Sequence, residues 1–219
     1  MISASEIVTY TALFGRYDTL RRPKAPGRYV CFTDHDPQAN GWEIRKVEKQ
    51  LSDPYEVRRY KLQPYLFLEE PYTIWVDANY ECRIDPETAA DRYLSPIPGI
   101  ERTGDFALHK HPERQCIYDE ITMCDASRRA PHDRLEAQRA AYTAEGFPRR
   151  GGLYECGIML RRHTDVVRAL GAMWWDEVLK HTARDQISLP ICLSRLGLIP
   201  TIIPGKAQQN LDWVWSHHG

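Results

Sequence analysis

No apolar run in this chain approaches the roughly 20 residues that a membrane-spanning helix needs, and Met1-Ile2-Ser3-Ala4-Ser5-Glu6 lacks the basic-then-apolar pattern of a secretory leader. A cytoplasmic protein with no membrane span is the expectation. The chain also lacks net charge: 29 basic residues against 30 acidic ones leave −1. Such a balance generates no field that gathers nucleic acid or an anionic membrane, so no nucleic-acid partner is expected and ligands must be recognised locally. Six cysteines (Cys31, Cys82, Cys116, Cys124, Cys156, Cys192) include no Cys-x-x-Cys pair, which argues against a zinc ribbon or a thioredoxin-like redox site and for reduced core thiols. Gly-x-Ser-x-Gly, Gly-x-Gly-x-x-Gly and the Walker Gly-Lys-Ser are absent too, which removes the familiar hydrolase, dinucleotide and P-loop signatures.

At 219 residues, 42% hydrophobic and 27% charged, the chain has the size and composition of one well-packed soluble domain spanning residues 1–219. Short, nearly continuous apolar runs at 7–13, 29–33, 42–47 and 73–76 end in polar loops. This is the pattern of a mostly parallel central sheet covered by helices on both faces, an α/β fold in which ligands sit beyond the carboxyl ends of the strands. Helices are expected at 56–68, with Pro64 kinking or splitting it at Gln63, and at 86–94, with Asp85 as cap and Pro86 at the first position. Further helices are expected at 114–126, 133–145, 165–181 and 185–196, and strands at 106–109, 157–161 and 199–203. In the helix after Thr164, Val167, Leu170, Trp174 and Val178 recur at steps of three and four and mark a core face.

The run Thr73-Ile74-Trp75-Val76 delivers Asp77-Ala78-Asn79 into a loop. Asp77 and Asn79 offer hard oxygens, the donors that Mg²⁺ or Mn²⁺ shares with a diphosphate; the plainer reading is a turn capped by an Asp and an Asn. Asp34 ends the second strand, where a carboxylate can accept hydrogen bonds from ribose or base, or form an Asx turn before Pro37. Thr11 and Ala12 end the first strand on the same edge, where a base could stack. His109, Lys110, His111 and Arg114 crowd the mouth of one strand as candidate diphosphate-neutralising groups or a solvated basic loop. Two-ligand metal binding by His109 and His111 lacks a third ligand nearby. Gly151-Gly152 opens a segment in which Glu155 suits a base or a hydroxyl ligand, and Cys156 a packed side chain. Asp185 suits a helix cap.

Taken in order, eight blocks resemble a glycosyltransferase-like family first catalogued as a domain of unknown function and typified by plant mucilage-related transferases and the plant turgor-regulation-defect protein. They are Tyr10 to Asp18, Cys31-Phe32-Thr33-Asp34, Arg59-Tyr60-Lys61-Leu62-Gln63-Pro64, Trp75 to Asn79, His109 to Arg114, Glu145-Gly146-Phe147-Pro148, Gly152 to Gly157 and Arg184-Asp185-Gln186. The resemblance implies a GT-A-like fold that binds a nucleotide-sugar at the strand ends and an acceptor opposite. It places Asp77 on the metal-binding first acid, with Asn79 where the usual pair has a second Asp. GT-A enzymes often complete the cation site with a C-terminal histidine, for which His217 and His218 qualify by position. Lys61, Tyr154 and Gln186 fall in blocks facing the donor, and Asp185 at the donor sugar or the reacting centre.

The expected activity is therefore transfer of a sugar from a nucleotide-sugar, a uridine diphosphate sugar by preference, to a glycan or other hydroxyl acceptor, assisted by Mn²⁺ or Mg²⁺. Asp185 or Glu155 would supply the base or stabilise an oxocarbenium ion. Two alternatives use the same residues: a metal-dependent hydrolase, since a plant relative has been described as an alkaline ceramidase, and a non-catalytic sugar-binding protein.

Overall fold

The computed structural model describes residues 2–15, 18–95 and 104–216. Strands β1 (Ile7–Leu13) and β2 (Tyr29–Thr33) are buried along their whole length, as expected of central strands with helices on both faces. β3 (Glu43–Lys46) is a more exposed edge. With β4 (Tyr72–Val76), β6 (Phe106–Lys110), β7 (Tyr154–Arg162) and β8 (Thr201–Ile203) they form one seven-stranded sheet in the order β3-β2-β1-β4-β7-β6-β8. β7 runs antiparallel to both of its neighbours, and every other adjacent pair is parallel. The mostly parallel α/β architecture read from the apolar runs is the one the chain adopts.

That single reversal matters for the site. Val76, at the carboxyl end of β4, stands opposite Ile158, so the amino end of β7 emerges where the parallel strands finish. The ladder between β6 and β7 also slips there: Leu108 faces Met159 but His109 faces Glu155. Residues 156–158 thus leave β6 and lean on β4, where the Asp77 N–H donates to the Gly157 carbonyl at 2.9 Å. The strand expected at 157–161 begins three residues earlier, so Tyr154 and Glu155 sit on ordered strand, not in a flexible entry loop.

Helix α1 (Asp53–Leu62) starts before the expected 56, since Pro54 suits a first turn, and ends at Gln63 because the residue before Pro64 is pushed out of helical geometry. A short 3-10 turn, Pro64–Leu66, replaces the expected continuation to 68. α2 (Pro86–Leu94) has the expected cap, the Asp85 carboxylate accepting the Thr88 N–H at 2.9 Å. α3 (Ile117–Ala126), α4 (His132–Ala144), α5 (Asp165–Lys180) and α6 (Asp185–Leu196) complete the helices. Successive residues of β1 feed opposite faces: Val8 and Tyr10 pack with Tyr60, Leu170 and Trp174, whereas Ile7 and Leu13 share a cluster with Ala89 and Leu94 of α2. A third cluster joins α3 and α4 to Ile187 and Ile191. All six cysteines are buried and unpaired.

Two strands have no counterpart in the sequence reading. β5 (Tyr80–Cys82) and β9 (Trp213–Trp215) pair antiparallel, Tyr80 opposite Trp215, and bring the polar, aromatic tail back to the loop after β4.

Gly171 lets α5 close on α1, since a Cβ there would stand 2.5 Å from the Leu62 carbonyl oxygen. Gly171→Ala is expected to destabilise by about 1–3 kcal/mol, the usual range for overpacking, seen as a lower urea midpoint at unchanged slope.

Candidate functional site

Three cavities run in series along the carboxyl edge of the sheet. The first is lined by Leu13, Asp18, Asp34, His35, Asp36 and Lys46, among others. It shares Leu13 and Asp18 with a middle cavity of about 280 Å³, whose wall includes Ala12, Phe14, Val57 and Trp75. Arg58, Lys61 and Asp77 are common to the middle cavity and a third one of about 210 Å³, which adds Asn79, Tyr80, Glu155, Arg184, Asp185, Gln186, Gln208 and Trp215. β1, β2 and α1 thus build one end, β7, α6 and the tail the other, and Asp77 stands at the junction.

Asp77 is held by its backbone and by one carboxylate oxygen. Its Oδ1 accepts the Trp75 indole N–H at 2.8 Å and lies 3.3 Å from the Lys61 ammonium. Oδ2 has no hydrogen-bond partner among the described residues and sits beside Gly157, where a Cβ would come within 3.3 Å of it. The side chain is 40% exposed, in contrast to the 4% of Lys61. Asn79, two residues on in a turn closed by Tyr80 N–H to the Asp77 carbonyl, keeps a buried Oδ1 that receives no hydrogen bond.

Lys61 ties the two ends together. Its ammonium lies 2.9 Å from Oδ2 of Asp185, and 5.3 Å from the centre of the Trp75 ring. Arg58, one turn earlier on α1, approaches Oδ1 of Asp185 at 3.8 Å. Burial opposes the charge of Lys61, but Asp185 and Asp77 outweigh it and raise its pKa. Burial likewise opposes ionisation of Asp185, and the Lys61 and Arg58 charges overcome it, holding the carboxyl well below the usual carboxylate range. Asp185 is therefore the buried hub of an ion-pair cluster; the cap position of α6 belongs to Arg184.

Glu155 has the opposite character. Burial pushes its carboxyl upward, and the Ala207 N–H, donated to Oε2 at 2.9 Å, pulls only partly against this. Cys156 is an inert, fully buried thiol, its pKa raised by burial.

The remaining sequence-selected residues divide sharply. Ala12 and Asp34 line cavities, Asp34 paired with His35 at 2.9 Å. Thr11 is fully buried in β1 and lines none of the three. Tyr154 offers its carbonyl to the Gln186 amide, whose oxygen accepts from Arg184, so both ends of that amide are engaged within the protein. The cations of 109–114 do not reach the series at all. His109 is fully buried, its Nδ1–H donating to the Gly205 carbonyl, and burial holds its pKa down. His111 is neutralised likewise by burial and accepts the N–H groups of Glu113 and Arg114. Arg114 is spent on Glu120 at 2.8 Å, Glu120 also standing 3.8 Å from Arg184, and Lys110 points to solvent. This block fastens α3 to the entry of α6. Arg58 and Lys61 are the cations shared by the middle and third cavities, with Lys46 in the first and Arg184 in the third; Arg58 escaped the sequence reading although its three-residue spacing from Lys61 puts both on one helix face. His217 and His218 lie outside the described residues.

Asp77 Oδ2 and Asn79 Oδ1 are two hard oxygens without donors among the described residues, a set that suits Mg²⁺ or Mn²⁺ when a ligand's phosphates and water complete the shell. Among the described residues no group of three His, Cys, Asp or Glu side chains could hold a metal without such a ligand.

An α/β sheet carrying a series of cavities beyond the carboxyl ends of its strands places them where such folds bind ligands. The model of the TOD1/MUCI70 glycosyltransferase-like domain family matches residues 56–203, and the chain belongs to that family. The match contains Arg58, Lys61, Asp77, Glu155 and Asp185 but not the first three strands or the tail. The chain is similar to the probable hexosyltransferase MUCI70 of Arabidopsis thaliana, 24% identical over 218 residues, covering 83% of this chain and 36% of that protein, so it spans about a third of the relative's length. Among solved structures, apo mouse xyloside xylosyltransferase 1 aligns with 90% of this chain and 84% of its own, at 9% identity and a TM-score of 0.46. No helix among the described residues is long and apolar enough to cross a membrane.

Proposed function

We propose that this chain is a glycosyltransferase moving a sugar, by preference from a uridine diphosphate sugar, to a hydroxyl acceptor in the cytoplasm, where the six unpaired thiols would stay reduced. The observation that carries this reading is the shared wall of Arg58, Lys61 and Asp77 between two cavities. A nucleoside fits the end near Asp34 and Ala12, the diphosphate fits the junction, and the reacting sugar falls beside Glu155 and Asp185. Asp77 and Asn79 would hold Mg²⁺ or Mn²⁺, which supplies charge neutralisation of the leaving diphosphate. Lys61 and Arg58, fixed in advance by Asp185, face the same developing charge without reorganising, the arrangement in which electrostatic stabilisation is strongest.

The bond from the anomeric carbon to the diphosphate oxygen breaks, the acceptor oxygen bonds to that carbon, and the acceptor's proton goes to Glu155. A carboxylate raised toward neutrality suits that step. Asp185, held ionised far below neutrality, is a poor proton acceptor and serves to position Lys61.

The test is a melting-temperature panel of nucleoside diphosphates and their sugars with and without Mn²⁺, followed by assay of diphosphate release with oligosaccharide acceptors. Transfer product supports the reading. Donor consumption with sugar released only to water supports a hydrolase, and a thermal shift without turnover supports a binding protein. Asn79→Asp is expected to tighten Mn²⁺ in the presence of UDP, because a second carboxylate adds charge to an all-oxygen site. Titration calorimetry showing equal or weaker binding would mean that Asn79 is not a ligand.

A further inference from the structure

The third cavity has a wall that neither the diphosphate nor a cation requires. Trp215 and Gln208 come from the tail, which is tied at both ends to residues of the cleft: Glu155 accepts the Ala207 N–H, and the Ser216 N–H donates to the Asn79 carbonyl at 3.1 Å. Opposite elements contribute Arg184, whose buried Nε has no hydrogen-bond acceptor, and Glu155, whose Oε1 receives no hydrogen bond among the described residues. The exposed Gln208 amide, a donor and an acceptor in one group, also makes no hydrogen bond among them.

A wall that offers donors, acceptors and an indole to one cavity suits a ligand whose own groups both donate and accept. Hydroxyls do so, whereas phosphate oxygens only accept. A pyranose presents equatorial hydroxyls at its rim and an apolar C–H face that can lie on an indole. The charges of this wall are already answered: Arg184 stands 3.8 Å from Glu120 and Arg58 3.8 Å from Asp185. Both arginines of the wall thus already face a carboxylate, which favours a neutral sugar over one bearing its own.

Resting on the glycosyltransferase reading, we propose that Trp215, Gln208, Arg184 and Glu155 form an acceptor subsite for a pyranose unit of a neutral glycan, its C–H face on the Trp215 ring. The nucleoside end of the cleft is built by other elements, so changes at this wall should act on acceptor and donor unequally.

The experiment uses the UDP-sugar that the wild-type chain consumes fastest, with neutral xylo-, gluco- and galacto-oligosaccharides and acidic oligogalacturonides as acceptors. Trp215→Ala is expected to raise KM for the neutral acceptor about tenfold, as loss of an aromatic contact of about 1.4 kcal/mol would. KM for the donor should move less than about twofold, and Trp215→Phe should recover part of the loss. Gln208→Ala, at an exposed position that leaves the fold alone, should raise acceptor KM about threefold through one lost hydrogen bond. Equal increases in both KM values, unchanged acceptor KM in both alanine variants, preference for oligogalacturonides, or donor turnover with transfer to none of the neutral acceptors would each overturn the subsite. Absence of any donor turnover in the wild-type chain would instead overturn the glycosyltransferase reading beneath it.

Discussion

Asp77→Ala should lower turnover about 10²- to 10³-fold, or about 3–4 kcal/mol, the scale of losing one preorganised electrostatic contact to a developing charge. Three changes converge on that loss. The free Oδ2 disappears from the all-oxygen pair with Asn79; the Trp75 indole N–H loses its acceptor; and Lys61 keeps Asp185 alone as counter-charge. Stability should suffer less, because the carboxylate is 40% exposed and its ion pair is partly screened by water. Asp77→Asn separates the contributions, since the amide oxygen can still accept from the indole while the charge is gone. Calorimetry of UDP binding with and without Mn²⁺ reads the cation-dependent part directly. Undiminished Mn²⁺-dependent binding and turnover in the alanine variant would remove Asp77 from the site.

The position of Asp77 at the mouth of β4 is legible in the sequence because one element sets it: a short apolar strand and the loop that ends it. The same holds for β1, β2 and α2, whose limits follow from β-branched runs and from the Asp85-Pro86 start signal. Features that depend on two distant segments were not readable. Arg114 and Lys61 are both cations of segments that carry the family resemblance, yet one is consumed by Glu120 six residues away and the other faces Asp77 and Asp185 across the cleft. Nothing local distinguishes them. The β5–β9 pair is three residues on each side, too short to show a period against a polar, aromatic background. The reversed direction of β7 likewise leaves no mark on its own residues, although it is what carries Glu155 and Gly157 to the carboxyl ends of the parallel strands.

Asp185→Asn shows how far such a hidden partnership changes an expectation. As a bare helix cap the substitution would cost under about 1 kcal/mol, because Asn and Asp cap almost equally well. As the buried hub of Lys61 and Arg58 it should cost about 3 kcal/mol, the low end for breaking a buried ion pair, since Lys61 retains Asp77 at 3.3 Å. The pH dependence identifies the cause. The folded-state carboxyl is depressed, so its contribution is present above the unfolded value of about 4 and is lost as pH falls through the lower native value. Wild type and variant should therefore differ by a constant amount above about pH 5 and converge below about pH 4. A difference that persists into acid would point to packing rather than charge. Turnover should fall about 10²-fold through misplaced Lys61 and Arg58, with KM for the UDP-sugar rising. The acid limb of the pH–rate profile should remain, because the proton acceptor is Glu155. Loss of that limb in Asp185→Asn and its retention in Glu155→Gln would exchange the two roles.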